Sequence, residues 1–176
     1  MLSKEKQKMG HLEYSIINND AITDDVANEF VNLLKKQRKV KDPKPERIKK
    51  CKFLCVCKCD GKTVGIGAIK CKTKSDFYGH KANLPDLEPE FSWELGYCYI
   101  EEEWRGKGIS SFIVRLLLDK IGNENLMATT EMYPNNPMIK ILKTNAFTEH
   151  GKPWKSSIHD GFLGLFLRFK EGTVNK

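Results

Sequence analysis

The chain has no apolar run approaching the roughly 20 residues that a helix needs to cross a bilayer. It has no C-x-x-C pair, and its four histidines (His11, His80, His150 and His159) are scattered without ligand spacing, so no metal site is expected. Residues 1–10 are polar and lysine-rich and lack the apolar stretch of a signal peptide. The cytoplasm is therefore the expected location, and the six cysteines are not expected to form a disulfide framework. Two phosphate-binding fingerprints are missing as well. No G-x-x-x-x-G-K-[ST] occurs, and G-x-G-x-x-G fails because Ser111 stands at the third glycine position.

What remains suits one domain spanning 1–176 with a single core, with residues 1–10 expected as a flexible tail. The formal charge is +7, and much of the excess lies between Lys35 and Lys58. Such a stretch suits nucleic acid, an anionic cofactor, or a solvated surface. No nucleic-acid motif accompanies it, and aromatics are not interleaved with the lysines as on a base-stacking surface. Cys51, Cys55, Cys57 and Cys59 alternate as on a strand and so are expected on one face, where small apolar packing explains them better than metal binding.

The pattern along the chain predicts a strand at 11–17 and a helix capped by Thr23. A short helix from Pro45 and a hairpin around Asp60-Gly61 follow. Residues 72–89 read as a polar connection without a period. A strand is predicted at 91–100 and a helix carrying Ile109, Phe112, Ile113, Leu116 and Leu117 on one face. Further strands at 126–130, 148–154 and 162–169, and a helix capped by Asn135 or Asn136, complete the order β, α, α, β, β, β, α, β, α, β, β. Between the fourth strand and its helix stands Trp104-Arg105-Gly106-Lys107-Gly108-Ile109-Ser110. A helix start leaves backbone N–H groups unpaired and carries partial positive charge. Gly106 and Gly108 remove the Cβ atoms that would keep a phosphate away, and Arg105 and Lys107 add full charges. The expected ligand is a diphosphate.

Here the sequence resembles the GCN5-related N-acetyltransferase (GNAT) superfamily, whose [Q/R]-x-x-G-x-[G/A] signature is read as Arg105 to Ser110, with Ser110 at the last position. Glu94-Leu95-Gly96-Tyr97 resembles its fourth strand. Asn135-Asn136-Pro137-Met138 leading to Phe147 resembles its late helix, with Ala146 replacing the usual glycine. The resemblance implies an α/β (α+β) fold with a mixed, mostly antiparallel sheet of six to seven strands and helices on both faces. It implies acetyl-CoA as cosubstrate, without metal, and transfer of its acetyl group to a primary amine on a small molecule or peptide. The backbone of Cys98, Tyr99 and Ile100 would bind the pantetheine arm. Arg105, Gly106, Lys107, Gly108, Ile109 and Ser110 would hold the diphosphate, and Asn135 or Asn136 would add a contact. Glu94 on the fourth strand and Glu131 after the fifth are both placed to be the base. Glu101, Glu102 and Glu103 read as a solvated loop. The tyrosine that protonates the leaving thiolate in many members is replaced by Leu142, with Tyr133, Tyr97 or water as substitutes. A non-catalytic acyl-CoA-binding module and a basic nucleic-acid-binding protein are the alternatives. No membrane partner is expected, and the chain is expected as a monomer or homodimer.

Overall fold

The computed structural model describes residues 11–172, so the expected tail at residues 1–10 lies outside the described residues. A first strand, β1 (Leu12–Asn18), leads into a short turn and then to Thr23. Thr23 Oγ1 accepts the Val26 N–H at 3.3 Å, and Asp24 and Asp25 occupy the first turn, where the helix dipole favours negative charge. The helix so started, α1 (Asp24–Gln37), buries Ala27, Phe30, Val31, Leu33 and Leu34. Pro45 opens a single-turn helix, α2 (Pro45–Ile48). Strands β2 (Phe53–Cys59) and β3 (Lys62–Cys71) form a hairpin across Asp60-Gly61. The φ values there, 48° and 80°, are the left-handed pair that matches the twist of two antiparallel strands.

The remaining elements are β4 (Trp93–Ile100), α3 (Ile109–Ile121), β5 (Leu126–Glu131), α4 (Pro137–Thr144), β6 (Thr148–Lys155) and β7 (Phe162–Arg168). The sheet runs β1-β2-β3-β4-β5-β7-β6, antiparallel except between β4 and β5. The period-two alternation of β2 divides the core. Leu54 and Val56 face α1 and α2, while Cys55, Cys57 and Cys59 face α3. Helices thus cover both faces of a seven-stranded, mostly antiparallel sheet, as expected. Cys51 departs from its expected place. It precedes β2 and packs on the α1 side, so only Cys55, Cys57 and Cys59 share a face.

Residues 72–89 also differ from the polar connection expected. Two 3-10 turns, Lys74–Phe77 and Pro85–Glu90, carry Phe77 into a third apolar cluster with Phe91, Trp154 and Leu165. Such short turns have no apolar period to detect. Glu88 is buried there and is paired with Lys72.

Hydrogen bonding from Lys72 holds the Glu88 carboxyl below its ordinary 4.5, and hydrogen bonding from Lys36 does the same for Glu101. A carboxyl with a lowered folded pKa favours folding while charged. Its contribution is complete above the unfolded value and is lost as pH falls through the folded one. The melting temperature is therefore expected to hold from about pH 7 to about pH 5 and then drop, and Glu88→Gln with Glu101→Gln to reduce that drop. Thermal melts followed by circular dichroism across this range check both.

Candidate active site

β4 and β5 pair only at their starts, Trp93 with Leu126 and Glu94 with Met127. Beyond these pairs no ladder joins them. A bulge in β4 sets Tyr97 and Cys98 against the single residue Gly67, with Tyr97 at φ 54°. Such a bulge bends the strand and increases its twist. Gly67 is required opposite it, because a Cβ there would stand 2.6 Å from Ile113 of α3. The side of β4 that faces β5 is thus left without a strand partner along residues 97–100. Two carbonyls on that stretch are engaged by side chains, Cys98 by Gln37 Nε2 at 2.8 Å and Ile100 by Arg105 Nε at 3.1 Å.

The glycine loop lies between the open end of β4 and α3. Gly106 and Gly108 have φ of 74° and 80°, which a side chain would strain, and a Cβ at either meets nothing within 4 Å. The space over the helix start is therefore open. Phe112 N–H makes the bond to the Gly108 carbonyl at 3.1 Å, so the N–H groups of Ile109, Ser110 and Ser111 precede the first intrahelical bond. Buried Ile109 fixes this turn to the core. Arg105 and Lys107 brace the loop as well as charging it. Arg105 Nε donates to the Ile100 carbonyl at 3.1 Å, and Lys107 Nζ donates to the Glu103 carbonyl at 3.1 Å and sits 4.5 Å from the Trp104 ring centre. Both side chains are thus engaged with backbone carbonyls, and the N–H groups at the helix start are the groups left open. Glu101 is not part of a solvated loop. It is 7 % exposed, accepts from Lys36 at 2.6 Å and from the Tyr99 hydroxyl at 3.3 Å, and only Glu102 and Glu103 face solvent.

On the face that carries α1, the α1–α2 connection and the β6–β7 loop roof a cleft of about 850 Å³. Both expected carboxylates line it. Glu94 is held twice, accepting from Lys70 Nζ at 2.6 Å and from the Thr73 N–H at 2.8 Å. Its side chain is 8 % exposed against 20 % for Glu131. Glu131 Oε2 accepts from Lys39 Nζ, and its Oε1 lies 3.2 Å from His159 Nε2. The Gly161 N–H donates to His159 Nδ1 at 3.0 Å, so in the neutral ring Nε2 carries the proton and directs it at Glu131. Lys39, Lys70, Thr73, Gln37 and His159 belong to no motif, and only the folded chain assembles them.

Asn136 and Asn135 part company. Asn136 caps α4, with Oδ1 accepting the Met138 N–H at 2.9 Å, while its Nδ2 donates to the Glu131 carbonyl at 2.6 Å. Its amide is thereby occupied in fixing the end of β5 to α4. Asn135 is exposed at φ 61° and lines a groove of about 430 Å³ along α4 with Tyr133 and Ile139. Tyr133 borders both this groove and the cleft, whereas Leu142 is fully buried. Tyr97 packs against the α1 cluster, and burial pushes its phenol up to about 12.

Cys98 faces α3, and burial pushes its thiol up to about 12. A thiol held protonated is a poor nucleophile. Cys98→Ala is expected to keep at least about half of any acetyl transfer, and iodoacetamide to label exposed Cys71 well before Cys98, as peptide mass mapping would report.

The basic stretch from Lys35 to Lys58 contributes Lys39, Lys41, Arg47 and Lys50 to the wall of the cleft.

Comparison with known proteins agrees with this architecture. The fold matches ElaA from Escherichia coli with a TM-score of 0.63 at 9 % identity, over 90 % of this chain and 99 % of that one. An acyl-CoA N-acyltransferase from Pseudomonas aeruginosa matches with 0.63 at 8 % identity, over 90 % and 99 %. Arabidopsis thaliana NAA60, solved with a bisubstrate analogue, matches with 0.63 at 13 % identity, over 93 % and 100 %. At such identities these likenesses concern the fold alone. No curated protein matches the chain significantly. The sequence model of the acetyltransferase (GNAT) family matches residues 19–147, which cover the glycine loop, both carboxylates and α4. The chain belongs to the acetyltransferase (GNAT) family.

Proposed function

We propose that the protein transfers the acetyl group of acetyl-CoA to a primary amine by direct attack. The observation that carries this is the gap between β4 and β5, with unpaired helix N–H groups on one side and the carboxylate-lined cleft on the other. A diphosphate fits the N–H groups of Ile109, Ser110 and Ser111, and a pantetheine arm can pair with the free side of β4 in place of a strand. One of the β4 N–H groups then polarises the thioester carbonyl. The amine nitrogen attacks the carbonyl carbon, the C–S bond breaks, and the sulfur leaves as thiolate. Glu131 accepts the amine proton. It is the more accessible of the two carboxylates, and His159 orients it. Glu94, held by Lys70 and Thr73, shapes the floor. Tyr133, half exposed between groove and cleft, is placed to protonate the thiolate, whereas Tyr97 is too weak an acid in its buried site.

The loss of the usual helix tyrosine to Leu142 favours a second reading, an acyl-CoA-binding module without transfer. Free thiol released from acetyl-CoA in the presence of a panel of amines, with the acetylated product seen by mass spectrometry, separates the two. Amine-dependent release supports transfer. Binding of acetyl-CoA without release under any amine supports the module.

A further inference from the structure

The acceptor cleft holds more positive charge than its own carboxylates offset. Eight lysine or arginine side chains line it against three carboxylates, and each carboxylate already has a lysine: Asp76 has Lys81, Glu94 has Lys70, and Glu131 has Lys39. Lys72 is paired with Glu88 behind the wall. Lys41, Arg47, Lys50 and Lys155 remain, and among the described residues none of them has a carboxylate oxygen within 4.0 Å.

These four are not scattered. Lys41, Arg47 and Lys50 come from one stretch, the connection into α2, α2 itself and the connection out of it, and all three line the cleft. Arg47 Nη1 donates to the Lys41 carbonyl at 3.5 Å, which ties α2 to the connection before it. On the inner side Tyr97 lies beneath Lys70, whose Nζ is 5.4 Å from the ring centre. Lys155 faces them from the end of β6. A concave site with low-dielectric walls focuses such a field instead of dissipating it in solvent. Two consequences follow for an amine. An ammonium group without a counter-charge is repelled, and so is a diamine. An amine already bound is more readily deprotonated beside these cations, and the neutral amine is the form that attacks.

We infer that the acceptor is a small molecule bearing a carboxylate or phosphate besides its amine, and that Arg47, Lys50 and Lys41 hold this anionic group. The inference rests on the transferase reading above, and the cleft volume of about 850 Å³ lies in the range that small molecules fill.

The test uses matched pairs that differ only in the anion: phenethylamine against phenylalanine, and ethanolamine against phosphoethanolamine. With acetyl-CoA saturating, the anionic member of at least one pair is expected to show a kcat/KM at least 30-fold higher. The pair with the larger ratio tells carboxylate from phosphate. R47Q/K50Q is expected to shrink that ratio at least tenfold, mainly by raising KM, and R47K/K50R to restore most of it. Equal turnover within both pairs, or preference for the neutral amines, overturns the inference while leaving the transferase reading intact. Absence of turnover with every amine counts against transfer instead. Isothermal titration of phosphoethanolamine and phenylalanine into the acetyl-CoA complex then decides the charge inference by itself. Binding lost in R47Q/K50Q sustains the anion site, and no binding to the wild-type protein overturns it.

Discussion

Gly108→Ala is expected to weaken acetyl-CoA binding about a hundredfold, close to 2.8 kcal/mol. Gly108 caps α3 with φ 80°, and a methyl group there meets nothing in the protein within 4 Å. Its whole effect on contacts therefore falls on whatever occupies the open space over the helix start. A diphosphate needs close approach to the N–H groups of Ile109 and Ser110, and bonds from N–H donors to a charged oxygen contribute about 1.5–3 kcal/mol each. A Cβ beside them holds the anion off. The left-handed backbone costs an alanine about 1–2 kcal/mol, which lowers stability without unfolding a domain of ordinary stability. Isothermal titration with acetyl-CoA, paired with a thermal melt, separates the two effects. A variant that melts lower but binds acetyl-CoA as tightly as the parent would place the diphosphate elsewhere.

Glu131→Gln is expected to reduce kcat at least about a hundredfold, the lower end of what a positioned general base supplies. The amide keeps the size of the side chain and one acceptor oxygen, which can serve Lys39 or His159 but not both, so a thermal melt accompanies the kinetics. KM for acetyl-CoA should hardly change, because Glu131 lines the cleft of about 850 Å³ and the glycine loop lies across the β4–β5 gap. Glu94→Gln should behave differently. Its carboxylate offsets Lys70 in a site where both side chains are mostly buried, at 8 % and 15 % exposure, so neutralising it is expected to destabilise the fold by about 3 kcal/mol. Steady-state kinetics with melts of both variants distinguish a base from a positioning residue. If Glu94→Gln abolishes turnover in a stably folded protein while Glu131→Gln leaves it, the base is Glu94.

The glycine loop was legible because its physics is local. Gly106 and Gly108 announce left-handed backbone, and the apolar stripe from Ile109 announces the helix they precede. The hairpin at Asp60-Gly61 and the Thr23 cap were legible for the same reason. The gap beside β4 was not. Residues 93–100 read as one uniform strand, and the bulge that frees its far end depends on Gly67 in β3 and Ile113 in α3. Glu101 looked like its neighbours Glu102 and Glu103, yet Lys36, 65 residues earlier in the chain, draws it into the protein. The distribution of basic residues was visible only as a run. That Arg47 and Lys50 face the cleft with Lys155, which comes more than a hundred residues later, is a property of the fold. Which of Asn135 and Asn136 caps α4 likewise turned on one residue of register, and the fold gives the cap to Asn136.

A crystal structure of the protein with acetyl-CoA tests the central claim most directly. The diphosphate oxygens are expected about 2.7–3.2 Å from the N–H groups at the start of α3, with the pantetheine arm along the free side of β4 and the thioester facing Glu131. Acetyl-CoA bound away from Gly106 and Gly108, or a folded protein that takes up none at millimolar concentration, would contradict it.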